Sequence, residues 1–283
     1  TPLTKGKTEF PPVKGLNLNQ LWRPYSDSMV LQTTDLPISM FDERASLKGS
    51  MILTSDALTG AGELDFLNAT ALSDKFAFTA NAFYSDTTKL KLRSLPQSDV
   101  VFNTENYSAF VDFNTKIGNF KTNSINSKIY LPAIRYESFL NEFDWYFDSN
   151  EVELYSYAKV DESGYDTLTK AELIGKPLSG AKFVSTHSKQ NSLECYSSRA
   201  NYDLTNNILK ATDVKLIKIA DVAIYPDDGL LEIHENAVVQ PLNNAIIIAD
   251  TINRNHTITD AEVEIQSGSV YKAKGNYAFS NFI

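Results

Sequence analysis

The chain has one cysteine, Cys195, and three histidines, His187, His234 and His256, in 283 residues. A single cysteine excludes an internal disulfide framework and any site built on several thiolates, such as a four-cysteine zinc site or an iron–sulfur cluster. It leaves the redox compartment open. Positive charge is scarce too: 26 Lys and Arg stand against 35 Asp and Glu, a net charge of −9. That field repels a phosphate backbone and no basic stripe offsets it, so nucleic acid is not an expected partner. Long apolar runs are also missing. Runs such as Ala245-Ile246-Ile247-Ile248-Ala249 fall far short of the ~20 residues a spanning helix needs. No stretch joins a basic start, an apolar middle and a small-residue cleavage site, the pattern of a secretory leader. The chain opens on Thr1 and not on Met, and the expectation is a processed or excised part of a longer protein.

What is present is alternation with period two. Phe76, Phe78, Ala80 and Ala82 alternate with Lys75, Ala77, Thr79 and Asn81; Leu90 and Leu92 lie between Lys89, Lys91 and Arg93. Val152 and Leu154 alternate with Glu151 and Glu153, Val263 and Ile265 with Glu262 and Glu264. Tyr271, Ala273 and Tyr277 alternate with Lys272, Lys274 and Asn276. Such spacing puts one strand face on a core and the other in water. The 14 Tyr and 16 Phe favour strands as well. Asn, Asp, Ser and Gly clusters between the runs suit tight turns. With 42% hydrophobic and 22% charged residues the chain can bury a core.

One short helix is expected over about Thr167–Ile174, with Thr167 as cap and Gly175 as stop. It lies in a polar stretch, 161–179, that reads as a connecting loop or insertion. The expected organisation is therefore an N-terminal β lobe over 1–160 and a C-terminal β lobe over 180–283. A motif also recurs: an apolar residue, an Asp, a turn, then a new apolar run. It is found at Leu64-Asp65-Phe66, Val111-Asp112-Phe113, Phe147-Asp148-Ser149 and Tyr202-Asp203-Leu204. An Asp at a strand end can close an Asx turn on its own backbone. The spacing of the four is irregular, so the expected fold is all-β: an elongated β-solenoid or jelly-roll-like stack of sheets built from irregular strand-turn-strand repeats.

Certain segments carry a resemblance. They are Leu58 to Phe66, Phe183-Val184-Ser185-Thr186-His187, Ala200 to Leu204, Asn244 to Thr251, and Tyr271 to Tyr277. Together they resemble large, repetitive, uncharacterised cell-envelope proteins of Bacteroidota-type bacteria. The cadence of Tyr-Asp, turn and apolar run is more remotely similar to the OstA/LptA-like β-jelly-roll modules that carry lipopolysaccharide across the periplasm. The resemblance implies an exported protein, periplasmic or outer-membrane associated, with a groove-forming β fold, the C-terminal lobe being the OstA-like one. By analogy it implies a lipid or polymer ligand.

Chemistry-bearing residues are sparse. No His-x-His or His-Glu-x-x-His spacing points to a metal, and no motif points to a cofactor. Glu232 and His234 share a strand face, which fits a surface pair better than a ligand set. Asp227-Asp228-Gly229, between Pro226 and Leu230-Leu231, reads as a hairpin turn rather than a calcium site. Asp161 to Asp166 places its glycine at the fourth position, where a calcium loop needs the sixth. Cys195 alternates with Leu193 and reads as a packed small hydrophobe. No nucleophile elbow, Walker loop or dinucleotide fingerprint is present.

The richest local feature is aromatic: Tyr136, Phe139, Phe143, Trp145, Tyr146 and Phe147. Exposed, these rings could stack on sugars or line a lipid groove, with Phe143, Trp145 and Tyr146 as candidate ligand-binding residues. Buried, they are the core of one layer, the role that the alternation of Phe143, Trp145 and Phe147 favours. The leading expectation is non-enzymatic: a structural or ligand-carrying module of a larger envelope protein. Its partners would be neighbouring segments of the parent, other envelope proteins, or a lipid or glycan. A glycan-binding module and a polysaccharide-degrading β-helix enzyme are the alternatives.

Overall fold

The computed structural model describes residues 4–5, 8–95, 99–124, 126–157, 160–253 and 256–277. Strands make up 58% of it and helix 7%, so the protein is all-β, with antiparallel sheets. It forms two compact units, Thr1–Ser127 with Glu142–Glu151, and Lys128–Asn141 with Val152–Ile283. This division differs from the one drawn from polarity (1–160, 161–179, 180–283), because strand pairing governs it. Glu142–Tyr146 is the partner of Ile117–Thr122, whereas Tyr136–Ser138 pairs with Ala181–Ser185.

The first unit is an antiparallel meander. Its strands are β1 (Asn19–Arg23), β2 (Ser28–Gln32), β3 (Ala45–Leu53), β4 (Leu58–Phe66), β5 (Ala69–Phe78), β6 (Ala82–Arg93), β7 (Val100–Asp112), β8 (Ile117–Thr122) and β9 (Glu142–Tyr146). Each pairs with the next along that series. The short strand Ile38–Met40 pairs with the start of β3 and with Val13–Lys14. Alternation decides which face is inward: Phe76 and Phe78 of β5, and Leu90 and Leu92 of β6, are buried, while Lys89 and Lys91 are exposed. Burying these rings and leucines is the main stabilising term, about 1.5–3 kcal/mol per large apolar side chain.

The second unit contains β10 (Ala181–Ser185), β11 (Glu194–Ser197), β12 (Arg199–Asp203), β13 (Ile208–Thr212), β14 (Ile217–Ile219), β15 (Val222–Tyr225), β16 (Leu231–His234), β17 (Leu242–Ala249), β18 (His256–Ser267) and β19 (Val270–Tyr277). A five-stranded sheet runs in the order β14-β15-β17-β18-β19. Val263 and Ile265 of β18 are buried as their alternation requires. The last strand departs from expectation. Both faces of β19 are largely exposed, Tyr277 to 48%; the strand pairs only with β18 among the described residues. Alternation was present in its sequence, yet little core lies against either face.

Local chemistry explains several turns and corrects others. Asp112 Oδ1 accepts from the backbone N–H groups of Asn114 (2.7 Å) and Thr115 (3.2 Å), and Asp203 Oδ1 from those of Thr205 (2.8 Å) and Asn206 (2.9 Å). These are the expected Asx turns, and Asp250 makes a third with Ile252 and Asn253. Asp65 and Asp148 do otherwise: the first accepts from Thr70 Oγ1 at 2.6 Å, the second pairs with Lys116 at 2.9 Å. Asp227–Gly229 is a turn but not a hairpin, since β15 before it and β16 after it pair in different sheets. The helix α1 spans Lys170–Leu173, and its cap is Thr169 rather than Thr167. Glu172 reaches back to the Thr169 N–H at 2.8 Å while Thr169 Oγ1 accepts from the Glu172 N–H, a capping box that satisfies two orphan donors.

The Asp203 turn yields a pH-dependent prediction. Burial pushes the Asp203 carboxyl up, but bonds from Asn206 and Thr205 outweigh it and hold it below its ordinary 3.8. A lowered carboxylate stabilises fully above that ordinary value and loses its contribution as pH falls through the folded one. Asp203→Ala should therefore cost about 1 kcal/mol at pH 7, the turn being largely solvent-screened. In urea titrations the gap between the two proteins should narrow steadily below pH 3.8. An unchanged gap at pH 2 would show that the charge plays no part.

Candidate functional site

Of the aromatic residues singled out in the sequence, Tyr136 and Phe139 lie in the second unit, and Phe143, Trp145, Tyr146 and Phe147 in the first. Phe143 and Trp145 have no exposed surface, and Tyr146 is partly exposed on the opposite face of β9. Phe143 stacks on Phe120 with centroids 4.6 Å apart and planes 10° apart, and meets Phe102 and Tyr107 at 5.0 and 5.3 Å. Trp145 packs against Phe147 at 4.5 Å and Phe66 at 5.9 Å. Phe66, Phe76, Phe78, Phe83 and Phe113 extend the ring cluster. The middle of this unit is thus filled by side chains, with Phe143 and Trp145 among the most enclosed.

The titratable candidates are dispersed. His187 Nδ1 accepts from the Lys189 N–H at 3.1 Å and so caps a turn; His256 Nδ1 lies 2.8 Å from the Tyr277 hydroxyl. His234 Nε2 is 2.5 Å from Glu232 Oε1, the same-face pair that alternation placed together, and Lys210 approaches the other Glu232 oxygen at 3.7 Å. Among the described residues no group of three His, Cys, Asp or Glu is placed to hold a metal. Burial, with a smaller contribution from Glu194, pushes the Cys195 thiol up to about 12. At neutral pH it is a covered, protonated thiol and a poor nucleophile.

A more open feature lies in the first unit, and the sequence reading did not single it out. Phe10, Pro11 and Val13 lie over Met29 and Leu31 of β2, Met51 and Leu53 of β3, and Leu58 of β4, enclosing a pocket of about 220 Å³. Register explains why these side chains converge. Met29 faces Leu53 and Leu31 faces Met51 across β2 and β3, and Leu53 faces Leu58 across β3 and β4. Directly opposed residues project to the same side of a sheet, so one apolar row, Met29–Leu53–Leu58, crosses three strands and a second, Leu31–Met51, crosses two and ends at Gly60. On the other side of β2 the rows continue to Trp22, opposite Met29, and Gln20, opposite Leu31. Gln20 Nε2 donates to Met29 Sδ at 3.1 Å, and Trp22 is 53% exposed. Strand β1 pairs only with β2 among the described residues, and all five of its residues are exposed. The i, i+2 pairs Met29/Leu31 and Met51/Leu53 were the local signal; their meeting depended on long-range pairing.

All eight lining residues are apolar, so the pocket offers a guest dispersion contacts and dehydration but no charge or side-chain hydrogen bond. Its two methionines adapt to irregular guests. At about 220 Å³ it is smaller than the ~300–1,000 Å³ sites that enclose a whole drug-sized ligand; it suits the end of one alkyl chain. No family model, curated protein or solved structure matches this chain.

Proposed function

We propose that the chain is a non-enzymatic structural and ligand-carrying β module of a larger cell-envelope protein, and that the group it carries is the end of a lipid acyl chain. The observation behind the carrying role is the pocket between the Phe10–Val13 segment and the β2–β3–β4 face, whose lining side chains are all apolar. The ring-filled middle of the same unit supports a rigid scaffold there rather than a through-going lipid channel. In the finer architecture of this reading, irregular strand-turn-strand repeats stack in a jelly-roll-like manner. The outer edge of β1, unpaired among the described residues, then receives an adjoining segment of the parent protein or of another envelope protein. The exported location, periplasmic or outer-membrane associated, rests on the envelope-protein resemblance of segments such as Asn244–Thr251.

The test uses 11-bromoundecanoate, whose bromine quenches tryptophan on close approach. Trp22 shares the pocket's face, whereas Trp145 is enclosed in rings. Saturable quenching is expected in the native chain and is expected to vanish in Trp22→Phe. Leu31→Gln should weaken binding about fivefold or more, because a guest chain would leave the new amide unpaired at a cost of about 1–3 kcal/mol. Circular dichroism of each variant checks the fold. Absence of quenching, or binding untouched by Leu31→Gln in a folded protein, would count decisively against the carrying role.

A further inference from the structure

We propose a second, independent binding site in the other unit, one that takes a single acidic sugar residue by its carboxylate and its ring. A pocket of about 200 Å³ there brings Lys176 and Lys218 together with Glu194, Tyr196, Leu178 and Leu216. Its construction follows from the strands. On β11, Cys195 and Ser197 are buried, so Glu194 and Tyr196, two residues apart, share the outward face. On β14, Ile217 and Ile219 are buried and Lys218 points out between them. The segment after α1 supplies Lys176 and Leu178. It is anchored because Ile174, Leu216, Tyr225 and Ile248 form a small core against which Leu178 packs.

Charge specifies the head group. Among the described residues no ion pair includes Lys176 or Lys218, although the whole chain carries −9. The third nearby cation is already engaged: Lys182 Nζ meets Glu194 Oε2 at 2.5 Å, and that bond holds the lysine above its ordinary pKa. Two uncompensated ammonium groups in one pocket fit one carboxylate. The remaining walls specify the body. Glu194 has a second oxygen to accept a hydroxyl, and Tyr196 with the two leucines offers ring and methyl surface to the C–H face of a sugar. A neutral sugar would leave the lysines uncompensated. A bare phosphate would fill little of about 200 Å³, in which each water occupies only ~30 Å³.

The experiment titrates the native chain with D-glucuronate, D-glucose and inorganic phosphate at low salt, read by saturation-transfer NMR and calorimetry. Glucuronate should bind at least tenfold more tightly than glucose or phosphate. Lys176→Gln and Lys218→Gln should each weaken it several-fold, and the double variant at least tenfold, with unchanged circular dichroism as expected for exposed side chains. Leu31→Gln, in the other pocket, should leave glucuronate binding unaltered, which separates this site from the apolar one. Absence of glucuronate binding, or its survival in the folded double variant, would overturn the proposal. Phosphate binding as tightly as glucuronate would overturn the sugar assignment, leaving an ordinary anion patch.

Discussion

Phe143→Ala should destabilise the first unit by about 3–5 kcal/mol, the usual range for emptying a ring-sized volume in a packed core. Phe143 has no exposed surface and is in ring contact with Phe102, Tyr107 and Phe120, each within 5.3 Å. These partners sit on β7 and β8, strands held in register by backbone pairing, so they have little freedom to collapse into the void. Phe143→Leu refills much of the space and should cost clearly less. Urea unfolding followed by far-ultraviolet circular dichroism measures both. A loss below 1 kcal/mol for the alanine variant would mean that the ring cluster is not tightly packed. The same result would revive a ligand-facing role for Phe143, Trp145 and Tyr146.

The second large effect is expected at a backbone crossing. Gly62→Ala should cost at least about 3 kcal/mol, through a left-handed conformation that disfavours a side chain and a clash with fixed atoms. Gly62 has φ +126°, and a Cβ there would lie 2.3 Å from the Lys48 carbonyl oxygen and 2.9 Å from Gly49 Cα. Its cross-strand partner Gly49 is equally confined, with φ +151° and a Cβ position 2.1 Å from the Ala61 carbonyl oxygen. The obstacles are backbone, so relief requires β3 and β4 to separate, and those strands pair along their whole lengths. Thr33 ties the crossing further: its Oγ1 accepts from the Gly49 N–H at 2.9 Å, and its own N–H donates to the Gly49 carbonyl at 2.9 Å. At 2–4 °C per kcal/mol for a unit of this size, the expected fall in Tm is roughly 6–12 °C. Gly164→Ala is the control. Its φ is +87°, with nothing within 4 Å of the added carbon, so it carries conformational strain without a clash. If the two substitutions cost the same, the close approach of β3 and β4 contributes nothing.

Individual elements show how much could be read beforehand. Phe76, Phe78, Leu90, Leu92, Val263 and Ile265 went inward as their alternation required, because direction along a strand is local geometry. The Asx turns at Asp112 and Asp203 were equally legible, since each side chain bonds its own neighbouring backbone. Thr169-x-x-Glu172 carries the local capping-box pattern, and the helix starts there rather than at Thr167. Tyr271 and Ala273 show the limit: their alternation is as regular as any, yet β19 stays exposed on both faces. Alternation states which side chains share a face and says nothing about whether a core exists to meet it.

For this protein, then, sequence alone determined the all-β class, most strand directions and the self-closing turns, all interactions between residues a few positions apart. Only the tertiary structure decided that Ile117–Thr122 pairs with Glu142–Tyr146 while Lys128–Asn141, between them in sequence, belongs to the other unit. It alone brought Met29, Leu53 and Leu58 into one apolar row, and Lys176 and Lys218 into one pocket. Those pairings join residues far apart in the chain. Each strand has two edges and many partners of similar hydrophobic pattern, so the choice falls to packing of the whole unit rather than to any local signal.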